Sequence, residues 1–348
     1  MQKLIIYCIF LLVAFSSCED IYTPDVEDRE GVIVANARII VGNDNNYIEL
    51  YKSIGFNEIS NVYPAVSNAM VYIIDSNGDD VQIHETEDGI YPVYLKLNSE
   101  LEYKLKIEYD SNIYESTFEP VPNVPEIDTF YGIEELKLLI EEGENSVDDY
   151  KSTIGLQTYC DINKLIEPPY YRFSARKVMQ YYYIEFPNTE FSITHYMWNS
   201  YFPSETFNIA SPPEYTTGEN IEKHPLFFVP KRVFLGEDNY FHGWILIIHQ
   251  FALSKSSYNF YKDLNSQLNS DGKLFDPLYV QARNNLKCTN NPEQLILGNF
   301  EISTPKEYRF FVKFISDDLG YKVEPIYDFY DIPFSGDSPI VYPDFWQH

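Results

Sequence analysis

The chain is poor in the residues that build metal sites, disulfide frameworks and phosphate cradles. Four cysteines stand in 348 residues, at 8, 18, 160 and 288. They form no CxxC and no Cys/His spacing suited to zinc. The six histidines, at 84, 195, 224, 242, 249 and 348, are scattered, with no HxH or HExxH pattern to set two imidazoles on one metal. P-loop, dinucleotide-binding glycine motif and GxSxG elbow are all missing. Positive charge is scarce as well, with 25 Lys and Arg against 53 Asp and Glu, net −28. Nucleic-acid binding draws its affinity from neutralising phosphates, so this balance excludes it. It equally excludes adhesion to an anionic bilayer by charge. No apolar run approaches the roughly 20 residues of a membrane-spanning helix. These absences leave no cofactor to expect and no nucleic-acid partner.

Aromatic residues, by contrast, are plentiful: 31 Tyr and 24 Phe. Disordered acidic chains lack them, so the chain folds. Tyrosine suits a half-buried pleated surface with its hydroxyl wet, which favours a β-rich fold. A sharper alternative is a set of aromatic platforms for a sugar or peptide ligand.

The first residues carry an address. Lys3 precedes the apolar stretch from Leu4 to Phe15, and Ser16-Ser17 lead into Cys18. A basic start, a short hydrophobic segment and small residues before a cleavage point predict a secretory signal over residues 1–17. Cys18 after two small residues resembles the lipobox of bacterial lipoproteins, in which the cysteine becomes the acylated first residue. Glu19-Asp20 resemble the acidic export tag of Bacteroidota lipoproteins that face the cell exterior. Removal of residues 1–17 would leave 24 basic and 53 acidic residues, net −29. Anchoring to the lipid bilayer would then rest on the acyl chains at Cys18. Residues 18–30, polar and acidic, read as a tether.

From Gly31 the pattern is that of strands. Leu101, Tyr103, Leu105, Ile107 and Tyr109 share one face of an alternating run. Asn77-Gly78 marks a hairpin turn after Ala69–Asp75. Short strands at this spacing predict an antiparallel sandwich of immunoglobulin or transthyretin type over 31–125, closed by Pro120, Pro122 and Pro125. Residues 126–348 are expected to form a larger β-rich domain. Within it, 133–142 fits a helix face (Ile133, Leu136, Ile140), though tertiary context could make it a strand. Strands are expected over 153–160, 170–175, 181–186, 295–302 and 308–314. Trp244–Ile248 reads as a fully buried strand, and 187–225 as a long surface excursion. One clear helix is predicted near 255–270, capped by Ser254 and stopped by Gly272, with Tyr258, Tyr261, Leu264 and Leu268 on its apolar stripe. The fold class is therefore mainly β.

No residue set declares a chemistry. The Asp75–Asp80 run invites a calcium reading, but its Gly falls too early for an EF-hand loop and no closing Glu follows, so a turn explains it better. His249, behind an apolar strand, reads as a satisfied core residue. Once Cys8 leaves and Cys18 is acylated, Cys160 and Cys288 remain as a possible disulfide that nothing local dictates.

In order, these parts resemble one family, the Bacteroidota lipoproteins grouped as domain of unknown function 4249. The likeness is carried by Cys18-Glu19-Asp20, Glu102–Ile107 through Tyr114-Glu115-Ser116 to Pro120 and Pro122, Pro169-Tyr170-Tyr171-Arg172, Phe241-His242-Gly243, Ser257–Tyr261, Cys288–Pro292 with Leu297–Phe300, and Pro343–Trp346. Many members carry a CxxC-like pair shortly before the final Pro-x-Phe-Trp. Here Gly336-Asp337-Ser338 stand in that neighbourhood, which removes the usual kind of partner for Cys288. The resemblance implies a surface protein encoded beside TonB-dependent outer-membrane receptors, and no catalytic residue.

Three functions follow as expectations. The first is a non-enzymatic accessory of a TonB-dependent barrel, located on the outer membrane and engaged in nutrient capture. The second is a structural subunit on the extracellular face of an assembly or secretion complex. The third, a surface hydrolase, has no nucleophile, metal set or acid/base pair behind it.

Overall fold

Alternation along the strands decides the architecture. A computed structural model describes residues 31–55, 62–140, 150–163, 169–202, 207–212, 220–230, 244–268, 282–316, 320–327, 332–333 and 335–339. The signal, Cys18, the acidic pair, the tether, Phe241–Gly243, Gly272 and the Pro343–Trp346 tail lie outside these residues.

In the first part, β1 (Ile33–Ile40) pairs antiparallel with β2 (Asn46–Lys52), which pairs with β5 (Ile90–Val93). Opposite lie β3 (Met70–Asp75), β4 (Asp80–Ile83), β6 (Glu102–Tyr109), β7 (Asn112–Ser116) and β8 (Glu119–Pro120). Alternate residues Ile33, Ala35, Ala37 and Ile39 meet Val71, Ile73, Leu105, Ile107 and Tyr114 in one core. The β3–β4 turn is closed by Asp75, whose Oδ1 accepts from the N–H groups of Asn77 (2.9 Å) and Asp79 (3.0 Å). Only Gly78 of the Asn-Gly pair takes a positive φ, at 95°. That geometry is a carboxylate-capped turn.

The later strands are β9 (Thr129–Ile140), β10 (Tyr150–Ile162), β11 (Tyr170–Glu185), β12 (Ile193–Tyr201), β13 (Asn208–Ala210), β14 (Ile221–Pro230), β15 (Trp244–Leu253), β16 (Leu286–Cys288), β17 (Ile296–Ser316), β18 (Gly320–Ile326) and β19 (Ser335–Pro339). The helix α1 spans Lys255–Leu268. The main sheet runs β19-β12-β11-β15-β17-β1-β2-β5. Two smaller sheets, β16-β7-β6-β3-β4 and β14-β10-β9, cover different stretches of one face. The protein is mainly β with sandwich-like layers, as its composition and alternation predict.

β17 joins the two parts. It pairs in parallel with β1 through Ile33↔Ile296 to Ile40↔Ser303, then antiparallel with β18 from Arg309 onward. On its other side it pairs with β15 from Thr304 to Val312. Ile296, Phe300 and Ile302 enter the first core, while Phe310 and Val312 enter the second. The sequence predicts two strands here, 295–302 and 308–314, and the structure joins them across Pro305, which cannot donate to a ladder. Pro305 fits because β1 ends its pairing at Ser303 and β18 begins at Arg309. Over that gap β17 has one neighbour among the described residues.

Several expectations change. Of the two alternatives left open for 133–142, the strand is the one formed, over 129–140, and Ile133 and Leu136 are exposed on it. Residues 170–175 and 181–186 merge into β11. The supposed excursion after 187 contains β12, β13 and the start of β14. The span 31–125 is completed by strands from far along the chain, since β16 pairs with β7 and β17 with β1. Cys160 and Cys288 are free, buried thiols in separate cores, so the possible disulfide between them does not form.

Candidate ligand-binding site

On β17 the even-numbered residues face the two small sheets, which turns Leu297, Asn299 and Glu301 to the opposite side. There α1 lies across the sheet. Its start is fixed by Ser254, whose Oγ accepts from the N–H of Ser257 at 3.2 Å and whose carbonyl accepts from Tyr258 N–H at 3.0 Å. That is the N-cap expected from the sequence. Tyr258 and Tyr261 bury themselves against Phe251 and Leu253, with Leu264 partly buried beside them, while Leu268 at the helix end is exposed.

Between α1 and the β1–β17 pair is a cavity of about 350 Å³. Val34, Asn36 and Arg38 line it from β1, Leu297, Asn299 and Glu301 from β17, and Phe260, Tyr261, Leu264 and Gln267 from α1. Tyr51, Ala282 and Asn284 complete the walls. Gly298 allows β17 to come this close to β1. Its φ is +103°, and a Cβ there would sit 2.0 Å from the carbonyl oxygen of Ala35.

Beneath the cavity lies a buried charge pair. Arg172 Nη2 is 3.4 Å from Glu301 Oε1, and the two side chains are 7% and 2% exposed. Arg172 reaches Glu301 across β15, its guanidinium 4.4 Å from the ring centre of Phe251 and 5.0 Å from that of Tyr261. Tyr261 OH donates to Glu301 Oε2 at 2.5 Å. Burial raises the Tyr261 pKa and Glu301 raises it further, so the phenol stays protonated as a donor. For Arg172 burial alone would lower the pKa, but Glu301 and Tyr261 outweigh it and raise it. Breaking such a pair by deleting one partner costs about 3–5 kcal/mol, because the other charge stays buried. This trio orients the floor of the cavity. It contains no nucleophile and base arranged for transfer chemistry.

Next to it, Glu119 is 1% exposed and accepts from three neutral donors: Thr117 Oγ1 (2.9 Å), Ser256 Oγ (2.6 Å) and Asn285 Nδ2 (2.8 Å). Asn285 also bridges Phe300, donating to its carbonyl at 2.8 Å and accepting from its N–H at 2.9 Å. These bonds tie β8, α1 and β17 into one frame around the site.

The sequence named none of Arg172, Glu301, Asn299 or Glu119 as a site. Asn299 and Glu301 alternate with Phe300 and Ile302, which marks a strand over 295–302 and no more. The Ser254–Tyr261 stretch covers their face, and nothing local to β17 announces it. Conversely, the described histidines do not converge. His195 meets Glu185 at 3.0 Å, His224 meets Asn208 at 2.6 Å, and His249 meets Glu307 at 3.0 Å. His249 is part-exposed rather than a core residue, its side chain 34% exposed. Among the described residues no three His, Cys, Asp or Glu side chains cluster to hold a metal, and no helix is long and apolar enough to cross a membrane.

No curated protein and no solved structure matches the chain. Residues 19–309 do match one family model, so that most of the sequence, including every described residue that lines the cavity, falls under it; the chain belongs to the family described as Domain of unknown function (DUF4249).

Proposed function

We propose that this chain is a lipid-anchored outer-membrane protein of the Bacteroidota type, facing the cell exterior. It acts as a non-enzymatic accessory of a TonB-dependent barrel in nutrient capture. The address is supported by the signal-like residues 1–17, Cys18 and the acidic pair Glu19-Asp20. The observation that carries the partnership is apolar surface on two hairpins of a strongly acidic protein. Beyond Met179, β11 has only β12 beside it among the described residues. Phe186 and Phe191 at that end are 57% and 79% exposed. On the β9–β10 hairpin, Leu136, Leu138 and Ile154 are 65%, 66% and 46% exposed. Exposed apolar clusters of this kind mark contact surfaces.

The same hairpins favour a second reading, a fixed subunit of an outer-membrane assembly or secretion complex, because they lie apart from the cavity strands. Co-purification from outer membranes separates the two. A TonB-dependent barrel exchanging with the chain supports capture, and a permanent stoichiometric complex with an assembly machine supports the subunit. Recovery without any barrel overturns both. Anchoring is tested with Cys18→Ala, expected to leave the protein released or uncleaved. Neutral residues in place of Glu19 and Asp20 should hold the lipidated protein on the periplasmic side. Digestion of that double variant by protease on intact cells, as readily as wild type, would remove the acidic pair from the export signal.

A further inference from the structure

The cavity between α1 and the β1–β17 pair ends on an unfinished hydrogen bond. Asn299 is 7% exposed. Its Nδ2 donates to Ser257 Oγ at 3.1 Å, and its Oδ1 has no partner in the protein. Buried acceptors without donors are rare, because they lose water and gain nothing. Since Asn299 also lines the cavity, a ligand there would supply the missing donor.

Charge narrows the ligand. Glu301 is already held by Arg172 and Tyr261, which leaves no free carboxylate at the floor for an ammonium group. Arg38, exposed at the mouth, would repel one further. Among the described residues it is the one Lys or Arg in the lining, too little for a phosphate or a dicarboxylate. The occupant is therefore neutral.

Shape and polarity narrow it again. Tyr51 and Phe260 offer aromatic surface, and Leu264 and Leu297 add apolar wall. Beside these are the amides of Asn36, Asn284 and Asn299; Asn36 Nδ2 donates to Glu49 Oε2 and Asn284 Nδ2 to the Ile296 carbonyl, which leaves their oxygens for a ligand. A molecule matching both needs an apolar C–H face and a rim of hydroxyls. A hydroxyl donates and accepts, so it satisfies a side-chain amide in either orientation. The volume lies at the small end of ligand pockets, which suits one or two rings.

We propose that this cavity binds a neutral sugar ring, a mono- or disaccharide, with a ring hydroxyl donating to Asn299 Oδ1 and the C–H face against Phe260 and Tyr51. The proposal rests on the nutrient-capture reading and names what would be captured.

Calorimetry and saturation-transfer NMR on the mature chain test it with glucose, galactose, N-acetylglucosamine, maltose and lactose. Glucuronate and phenylalanine serve as charged comparisons. At least one neutral sugar should bind. Asn299→Leu should weaken it about tenfold or more, the loss expected for one buried hydrogen bond. Should that variant not fold, Phe260→Ala reads the stacking contact instead. The proposal is overturned if no neutral sugar binds and the cavity holds only water. Binding indifferent to both Asn299→Leu and Phe260→Ala also overturns it, as does a preference for glucuronate or phenylalanine that vanishes in Arg38→Ala. Co-purification with a barrel is scored separately. Its persistence without sugar binding defeats the ligand alone, whereas its loss defeats the partnership alone.

Discussion

A lysine on β11 carries the clearest electrostatic prediction at the scale of single residues. Lys177 pairs in register with Leu246 on β15 and Tyr201 on β12. Burial lowers its pKa to about 8, with no carboxylate to offset it. Its ammonium sits 5.7 Å from the centre of the Tyr201 ring, a weak compensation. In the unfolded chain Lys titrates near 10.4. Between about 8 and 10.4 the folded state thus binds fewer protons than the unfolded state, and stability rises with pH across that window. Below it the cost is constant. Lys177→Met is therefore expected to stabilise the fold at neutral pH by on the order of 1 kcal/mol, after allowance for partial solvation. Denaturant titrations at pH 7 and pH 10 check this: the gain should shrink at the higher pH. An equal gain at both would mean the effect is packing alone. Glu307 also makes stability rise with pH, but as a gain from its charged form where Lys177 is a cost. The hydrogen bond from His249, then Arg309, holds its pKa down to about 2. The stability it contributes is present above the unfolded value and is lost as pH falls toward 2.

At the scale of elements, β9 shows how a local pattern misleads. Ile133 and Leu136 are spaced as on a helix, yet the strand pairs with β10 along its whole length, Thr129↔Asp161 to Ile140↔Tyr150. Pairing across a hairpin outweighs a weak intrinsic preference. As the edge of its sheet, β9 presents Leu136 and Leu138 outward. Exposed apolar edges are a hazard unless something covers them. Leu138→Lys should leave stability within about 0.5 kcal/mol, the usual range for a surface change. If the hairpin contacts a barrel, the variant should also lower recovery of that barrel from outer membranes. Unchanged recovery with reduced self-association would make β9 a protected edge and no docking surface. By contrast, α1 and β15 were legible. A capping serine with apolar residues at three- and four-residue steps is a strong local signal, and a short unbroken run of large apolar residues belongs in a strand covered on both faces. The Arg172–Glu301 pair was not legible, because its partners lie on strands separated by β15 and nothing in either segment points to the other.

For the whole molecule, the first core does not stop at the boundary expected after Pro125. Leu286, Cys288, Ile296, Phe300 and Ile302 sit among residues of the first sandwich. Phe300 is fully buried, and loss of such a side chain by itself costs about 3–5 kcal/mol. A fragment ending at residue 125 would leave that core open and the β1 edge unpaired. We expect residues 31–125 alone to lack a cooperative melting transition, whereas the intact chain shows one. A sharp transition in the fragment would show that β16 and β17 decorate a sandwich already complete.

The parallel pairing of β1 with β17 also sets a schedule. A chain that emerges amino terminus first releases β1 early, but its neighbour arrives only after nearly everything else has been delivered. Until then β1 has β2 beside it and an open edge on the other side. Contacts between distant segments are slow to form, and waiting edges invite wrong partners. The first sandwich to emerge is therefore finished late, and the part of its life most exposed to proteases and misassembly falls between those two events.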